Sequence, residues 1–228
     1  MDAVPTGCRA LDELLGGGVE TGCLTLLYGE AGSGKTNIAL QVARNVARMG
    51  MRVVYIDTEG VSLERLRQMC GDDFQTVVER ILFAEPYSNE EQERLIEKAV
   101  NMVAEATGIG LIAVDSMTMH YRLTLRIEDP EERRSLARQV ARLLRASRKS
   151  EIPVILTSQV YTDIETETLQ PLGGHMLTHN CKTLVRLEKV GPAARRAVRV
   201  KHRHLAEGHA VKFRLTDRGV EDVPTPAA

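Results

Sequence analysis

The chain has 228 residues, enough for one sizeable α/β domain with a buried core, and its net charge of −1 limits any nucleic-acid surface to a local patch. Tryptophan is absent and aromatic residues make up only 4% of the chain, which argues against an extended platform for base stacking. No signal peptide opens the sequence and no stretch approaches the length of a membrane span, so we expect a cytoplasmic protein without a membrane partner.

Apolar strands alternate with helices in the first half of the chain. Residues 6–18 predict a short helix that Thr6 caps and three glycines end, and residues 62–70 predict a helix capped by Ser62. A glycine-rich loop follows the first long apolar run, and a helix then continues to about residue 49. The predicted strands of this half are residues 23–28, 52–57 and 80–86.

The second half continues the alternation and then changes. Long amphipathic helices are predicted at 88–106 and 129–150, and buried strands at 110–115 and 153–159. After residue 174 the pattern predicts three strands joined by turns, at 181–190, 195–204 and 209–216. We therefore expect a mostly parallel central sheet flanked by helices with a β-meander at its edge, in one domain over 1–228 with a core at about 5–222.

The glycine-rich loop matches a phosphate-binding motif. GxxxxGK[ST] is satisfied by Gly29, Gly34, Lys35 and Thr36, between a predicted strand and a predicted helix. Lys35 is expected to reach the β- and γ-phosphates, and the Thr36 hydroxyl to ligate Mg²⁺. The expected phosphate-binding residues are Gly29, Glu30, Ala31, Gly32, Ser33, Gly34, Lys35 and Thr36.

Three further polar residues stand where predicted strands end. Asp115 ends an apolar strand and is the expected second Mg²⁺ ligand. Glu59 follows another strand and could orient and deprotonate an attacking water, or Asp57 and Glu59 could only cap the next helix. Gln159 could sense the γ-phosphate or could equally be a surface glutamine.

Several segments in this order resemble the core of the RecA/RadA recombinase family, and more closely its archaeal RadA paralogues, the RadB group. They are "PTGCRALDELLGGGVETGCLTLLYGEAGSGKT", "VVYIDTEG", "LIAVDS", "ILTSQV" and "PLGGHMLTHNCKTLVRLEK", and the resemblance runs from about residue 5 to residue 222. It implies a RecA-like P-loop ATPase that binds ATP and Mg²⁺. It also implies Glu59 as the water-activating glutamate, Gln159 as the γ-phosphate sensor and Arg65 as an arginine that packs on the adenine.

The resemblance also implies a function in DNA repair and homologous recombination. The implied protein is an accessory factor with weak ATPase activity and modest DNA binding, and its implied partners are the RadA recombinase and the Holliday-junction resolvase. Strand exchange is not expected, because the segment after the sensor carries Asp163, Glu165 and Glu167, and no Lys or Arg occurs between Lys149 and Lys182. The chain starts at the core without the family's aromatic polymerisation anchor, so filament assembly by that device is not expected.

Basic residues cluster elsewhere. Arg122 and Arg126 fall at the family's first DNA loop and, with Arg133, are candidate DNA contacts. The helix positions 138, 142, 145 and 149 share one face, for which a solvated surface with acidic partners is the better interpretation. Lys201 and Arg203, which alternation places on one face of a strand, could act in trans on the nucleotide of an adjacent subunit or could contact DNA.

Two other functions are compatible with the phosphate-binding motif. "ALDELLGGG" and "KHR" also fit a KaiC-like oligomeric signalling ATPase that does not act on DNA, whereas "DTEG" and "PLGGH" argue against it. A small-molecule kinase would need an arginine-rich lid and a second substrate motif, and neither is visible in the sequence.

Overall fold

A sheet of nine strands, counted over the described residues, forms the centre of the protein. The computed structural model describes residues 2–105, 108–124, 130–163 and 168–224, with only the backbone for 122–124. The strands of this sheet are β3 (Leu24–Gly29), β4 (Arg52–Asp57), β5 (Ile81–Ala84), β6 (Ile109–Asp115), β7 (Val154–Ser158), β10 (Thr183–Lys189), β11 (Ala194–Lys201), β12 (Ala210–Thr216) and β13 (Gly219–Asp222). Their order across the sheet is β13-β12-β11-β10-β3-β7-β6-β4-β5.

Six neighbouring strands, from β10 to β5, are parallel, and β10 to β13 form an antiparallel meander at the other edge. The predicted mostly parallel sheet with a C-terminal β-meander is therefore confirmed. Because the parallel strands share one direction, their carboxyl ends meet at one edge of the sheet, which is where ligands bind in open α/β sheets.

Helices cover both faces of the sheet. They are α1 (Arg9–Leu14), α2 (Lys35–Arg48), α3 (Leu63–Cys70), α4 (Phe74–Val78), α5 (Asn89–Ala104), α6 (Met119–Thr124), α7 (Pro130–Ser150) and α8 (Gly174–Asn180). One apolar cluster lies under α1 to α4, and the other lies under α5, α7 and α8. Within the described ranges, no helix is both long and apolar enough to cross a membrane.

Several element ends differ from the predictions. Thr6 does not cap α1: the N-cap position is Cys8, and the Thr6 hydroxyl instead contacts the carboxylate of Asp12 at 2.7 Å. The caps at Ser62 and Ser88 accept backbone N–H bonds from the first turns of α3 and α5. The strand predicted at 195–204 ends at Lys201, because the chain turns there toward β12 and the Gly208 N–H donates to the Arg199 carbonyl at 2.8 Å.

Some short elements were not predicted at all. They include α4, α6, β13 and two separate strand pairs, β1 (Ala3–Val4) with β2 (Val19–Glu20) and β8 (Val160–Thr162) with β9 (Leu169–Pro171). The two-stranded pairs have three or fewer residues per strand, too few to show a period of two.

One buried glutamine on α2 joins the two ends of the chain. The Gln41 side chain is 2% exposed and donates to the carbonyls of Thr6 at 2.8 Å and Val220 at 2.9 Å. It also accepts the Val220 N–H at 2.6 Å. Gln41 therefore pairs with three backbone groups, one of which, the Thr6 carbonyl, also accepts from the Asn45 amide at 3.0 Å. These contacts fix the N-terminal segment and β13 against α2.

We predict that Gln41→Ala lowers the free energy of unfolding by about 2–3 kcal/mol, because the N–H and the carbonyl of Val220 lose their bonds to Gln41. Urea denaturation at fixed pH measures the change. Gln75→Ala, which removes an exposed glutamine from α4, is the control and should stay within about 0.5 kcal/mol of the unaltered protein. Equal effects of the two substitutions would contradict the anchoring role of Gln41.

Candidate functional site

The glycine-rich loop joins strand β3 directly to helix α2. Residues 29–36 connect the end of β3 to the start of α2, whose N-cap position is Gly34. A side chain at Gly29 would collide with the Leu187 carbonyl on the paired strand β10, so this position requires glycine. The first turn of α2 presents backbone N–H groups without intrahelical partners at the loop, which suits an anion.

Lys35 is held inside this loop. It is 5% exposed, and its ammonium donates to the carbonyls of Gly29 at 2.9 Å and Glu30 at 3.1 Å. Burial lowers the pKa of Lys35, while the nearby carboxylates of Glu59 and Asp115 act in the opposite direction. A positive charge is thus fixed where the loop and the end of β3 meet, as phosphate binding requires.

Asp115, at the end of β6, is 1% exposed and is surrounded by hydroxyl groups. Its carboxylate accepts hydrogen bonds from Tyr55 at 2.9 Å and from Thr157 at 2.5 Å. Burial raises the pKa of Asp115, and hydrogen bonds from Thr157, Thr36 and Tyr55 oppose that rise. The contact with Thr36 places two hard oxygen donors side by side, which is the donor type that Mg²⁺ prefers.

Tyr55 and Thr157 are the residues of this site that the sequence did not indicate. Each stands inside an apolar strand, β4 and β7 respectively, and is fully buried. A polar group in a buried strand is the signal that could have found them, because such a group needs a hydrogen-bond partner.

Asp57 forms the turn that presents Glu59. The Asp57 carboxylate accepts the backbone N–H groups of Glu59 at 3.0 Å, Gly60 at 2.9 Å and Val61 at 2.5 Å. The next helix, α3, is capped by Ser62 instead. The alternative in which Asp57 and Glu59 cap that helix is therefore wrong, and the Glu59 side chain remains exposed at the strand end.

Gln159 connects Glu59 to the segment that follows β7. Its amide donates to the Glu59 carboxylate at 2.9 Å and contacts the Met119 sulfur on α6 at 3.8 Å. The Gln159 carbonyl accepts the Leu172 N–H at 2.9 Å, which closes the base of the β8–β9 hairpin. These contacts join Gln159 to Glu59 and to the hairpin, while its function as a γ-phosphate sensor stays a prediction.

Arg65, on α3, lies against the C-terminal meander. Its guanidinium donates to the Asn37 side chain at 2.7 Å and to the backbone carbonyls of Thr216 at 2.7 Å and Asp217 at 3.2 Å. Arg65 is therefore fixed in place between α2 and the β12–β13 turn, and is not the solvated helix charge that its position in the sequence would suggest by itself.

The candidate DNA contacts are only partly described. Arg126 lies outside the described residues, and Arg122 is described only as part of the α6 backbone. Arg133 is exposed on α7 and lines a cavity of about 550 Å³ together with aromatic, glycine and helix residues. The other lining residues are Tyr121, Leu136, Tyr161, Leu172, Gly173, Gly174, His175 and Met176.

Acidic partners were predicted for the four basic positions on one face of α7, and the described residues show them for two, Arg138 and Arg142. Arg138 pairs with Glu93 and with Glu131, both at 2.9 Å. Arg142 pairs with the same Glu93 at 3.0 Å and with Glu97 at 3.8 Å. These guanidinium groups are already neutralised by α5 and by α7 itself, which leaves them less suited to nucleic acid.

Lys201 and Arg203 make contacts within their own chain. The Lys201 ammonium donates to the carbonyls of Thr178 at 2.7 Å and Cys181 at 2.8 Å, near the end of α8. Arg203 pairs with Glu20 at 3.0 Å. The predicted strand alternation fails beyond Lys201, because Arg203 already belongs to the turn after β11.

Comparison with known proteins identifies the family. The Rad51 family model matches residues 2–223. A DNA repair and recombination protein RadB from Methanococcoides burtonii is 43% identical over 217 residues, covering 94% of this chain and 96% of that protein. One with the same name from Methanoculleus marisnigri is 40% identical, with 97% and 99% covered.

A solved structure agrees with the sequence comparison. A crystal structure of the RadB recombinase superposes with a TM-score of 0.85 at 39% identity, covering 97% of this chain and all of that one. The fold is therefore RecA-like, and the chain belongs to the RadB group of the Rad51 family.

Proposed function

We propose that this protein binds ATP and Mg²⁺, hydrolyses ATP slowly, and acts as an accessory factor in DNA repair and homologous recombination. The observation that carries the proposal is the continuous contact from the phosphate-binding loop to the β8–β9 hairpin. The Asp115 carboxylate accepts a hydrogen bond from Thr36 of the loop, and the Asp115 carbonyl accepts the Thr58 N–H at 2.8 Å. The next residue, Glu59, accepts from Gln159 at 2.9 Å, and the Gln159 carbonyl closes the hairpin. A phosphate-binding centre is thus in contact with a surface element that could respond to it.

Four side chains and the N–H groups of the loop have separate proposed roles at the ATP site. Lys35 and the loop N–H groups would hold the phosphates, and Thr36 and Asp115 would hold Mg²⁺. When bound, Mg²⁺ would neutralise charge that develops on the phosphates. Glu59 is placed to orient and deprotonate a water, and its hydrogen bond with Gln159 would have to rearrange when the glutamate takes up that water.

Slow hydrolysis is supported by the exposure of the site. Glu59 is exposed, so nothing in the described chain excludes bulk water from it. Lys201 and Arg203, the candidates for a cation delivered to a neighbouring subunit, are bound to α8 and to Glu20. We propose that they act in trans only in an assembly that breaks those contacts.

DNA binding is proposed to be modest and to occur without strand exchange. The stem of the β8–β9 hairpin carries Asp163 at its end, and Glu165 and Glu167, which complete the acidic segment, lie outside the described residues. Carboxylates oppose a phosphate backbone, and residues 150–181 contain no Lys or Arg that could offset them. Arg122, Arg126 and Arg133 remain the proposed DNA contacts.

The proposed setting is recombination, with the RadA recombinase and the Holliday-junction resolvase as partners. The names of the relatives, DNA repair and recombination protein RadB, support this setting over a KaiC-like signalling ATPase. Gel filtration with ATP, with and without single-stranded DNA, separates the two: a ring that forms with ATP alone and ignores DNA would favour the signalling function.

We predict that Lys35→Ala lowers ATP affinity at least about 100-fold, because the charge-assisted contact with the phosphates is lost. Titration with a fluorescent ATP analogue measures the loss, and a melting curve without nucleotide checks the fold. Lys98→Ala, an exposed lysine on α5, is the matched control. Unchanged affinity in Lys35→Ala would remove Lys35 from the site.

Glu59→Gln is expected to reduce single-turnover ATP hydrolysis at least about 10-fold while leaving ATP affinity within about twofold, since only proton transfer is removed. Glu64→Gln, which makes the same change on exposed α3, should hydrolyse ATP like the unaltered protein. Hydrolysis at the normal rate in Glu59→Gln would refute the proposed role.

The plot of log DNA affinity against log salt concentration should have a slope of about 3 or less in magnitude, which corresponds to few phosphate contacts. Strand-exchange assays with saturating ATP should be negative. A steep slope would require a larger basic footprint than Arg122, Arg126 and Arg133, and efficient exchange would contradict the role given to the acidic segment.

A further inference from the structure

Two basic residues on the β10–β11 hairpin lie next to the outer side of the phosphate-binding loop. Lys189 and Arg195 are paired across the two strands. Leu187 and Ala197, two positions away on each strand, pack into the apolar cluster under α2. Because strand side chains alternate, Lys189 and Arg195 continue the same face of the sheet beyond the apolar core, toward the loop that begins α2.

Arg195 ties the hairpin turn to the middle of the loop. It is 7% exposed, and its Nε donates to the Gly32 carbonyl at 2.9 Å. Its Nη1 donates to the carbonyls of Gly191 at 3.0 Å and Ala194 at 2.9 Å. Over the described part of the chain, its recorded partners are carbonyl oxygens and not carboxylates, so the positive charge of this buried guanidinium is not neutralised by an acid.

Lys189 adds a second positive charge at the same place. A Cβ atom built on Gly32 would lie 3.0 Å from the Lys189 Cε and 3.1 Å from its Nζ, so the lysine occupies the space that a loop side chain would take. No ion pair joins Lys189 to any described residue. Burial lowers the pKa of Lys35, and the nearby Lys189 lowers it further.

We propose that Lys189 and Arg195 form a basic brace for the phosphate-binding loop, supplied by the same chain. Arg195 is a positioning residue that holds the loop through the Gly32 carbonyl. Lys189 supplies positive charge that repels Lys35 in the free protein and is balanced when a triphosphate binds. Because ATP carries one more negative charge than ADP, the brace favours ATP over ADP. The inference rests on the ATP binding proposed above.

The first test changes the exposed lysine, whose loss cannot unfold the core. Lys189→Gln is expected to weaken ATP binding about fivefold and ADP binding less than about twofold at low salt, with the difference shrinking as salt rises. Lys212→Gln is the matched control, since Lys212 is an exposed lysine on β12 that is paired with Arg196 and not with Arg195. An ATP to ADP affinity ratio that is the same in Lys189→Gln and Lys212→Gln would overturn the charge role.

The second test changes the positioning residue. Arg195→Gln is expected to weaken both ATP and ADP about tenfold, because the loop loses its link to the hairpin, whereas Arg196→Gln, on the opposite face of the same strand, should not. Arg195→Lys keeps the charge but not the planar set of guanidinium donors, so it should also weaken ATP and ADP to a similar degree and leave the ATP to ADP affinity ratio unchanged. If Arg195→Gln does not fold, Arg195→Lys is compared with Arg196→Lys in its place.

The possible outcomes distinguish a failure of the proposed ATP binding from a failure of the brace alone. If the unaltered protein binds no ATP, the proposed function fails and the brace fails with it. If the unaltered protein binds ATP and the variants at 189 and 195 bind ATP and ADP as it does, only the brace is refuted. A fall in melting temperature for Arg195→Lys with unchanged nucleotide affinities would show a purely structural arginine and would also refute the brace.

Discussion

A buried carboxylate at the end of β6 determines how the candidate site is assembled. Asp115 is almost fully buried, and a charge in that environment is stable only if hydrogen-bond donors surround it. Tyr55 from β4, Thr157 from β7 and Thr36 from α2 supply those donors. The requirement to satisfy one carboxylate thus fixes two neighbouring strands and the start of the phosphate-binding helix relative to one another, with Lys35 in the adjoining loop.

At the same edge of the sheet, a series of hydrogen bonds connects the candidate site to the β8–β9 hairpin on the surface. Asp57 accepts three successive backbone N–H groups and so presents Glu59, which Gln159 contacts from the end of β7. Gln159 also closes the β8–β9 hairpin through its carbonyl. A change at the phosphates that moved Glu59 would therefore reach the hairpin through one side chain, which is a short path with defined contacts.

Many of the chain's basic residues are already paired within the molecule. Arg138 and Arg142 are neutralised by carboxylates on α5, and Arg203 is neutralised by Glu20. The Lys201 ammonium is held by carbonyls around the end of α8. These ion pairs reduce the positive charge that Arg138, Arg142 and Arg203 can present to a polynucleotide. Lys189 and Arg195 differ from Arg138, Arg142 and Arg203, because they have no carboxylate partner among the described residues, and they lie beside the loop expected to receive the most highly charged ligand.

The sequence by itself determined the alternation of strands and helices, the phosphate-binding motif and the strand-end positions of Asp115, Glu59 and Gln159. Continuous apolar runs and a glycine motif between a strand and a helix depend on local pattern, which a sequence displays directly. The cap of α1 and the end of β11 were not determined in this way, because a carboxylate at Asp12 and a turn after Lys201 overrode the local preference.

Only the tertiary structure decided which polar groups meet. Tyr55 and Thr157 lie inside apolar strands, and Arg195 and Lys189 are more than 150 residues from the loop they contact. Lys201 and Arg203 resembled free cations in the sequence, yet they are bound to groups of their own chain. Hydrogen bonds and ion pairs between distant segments depend on how the sheet is ordered and which side chains it brings within about 3 Å, and a linear pattern does not contain that information.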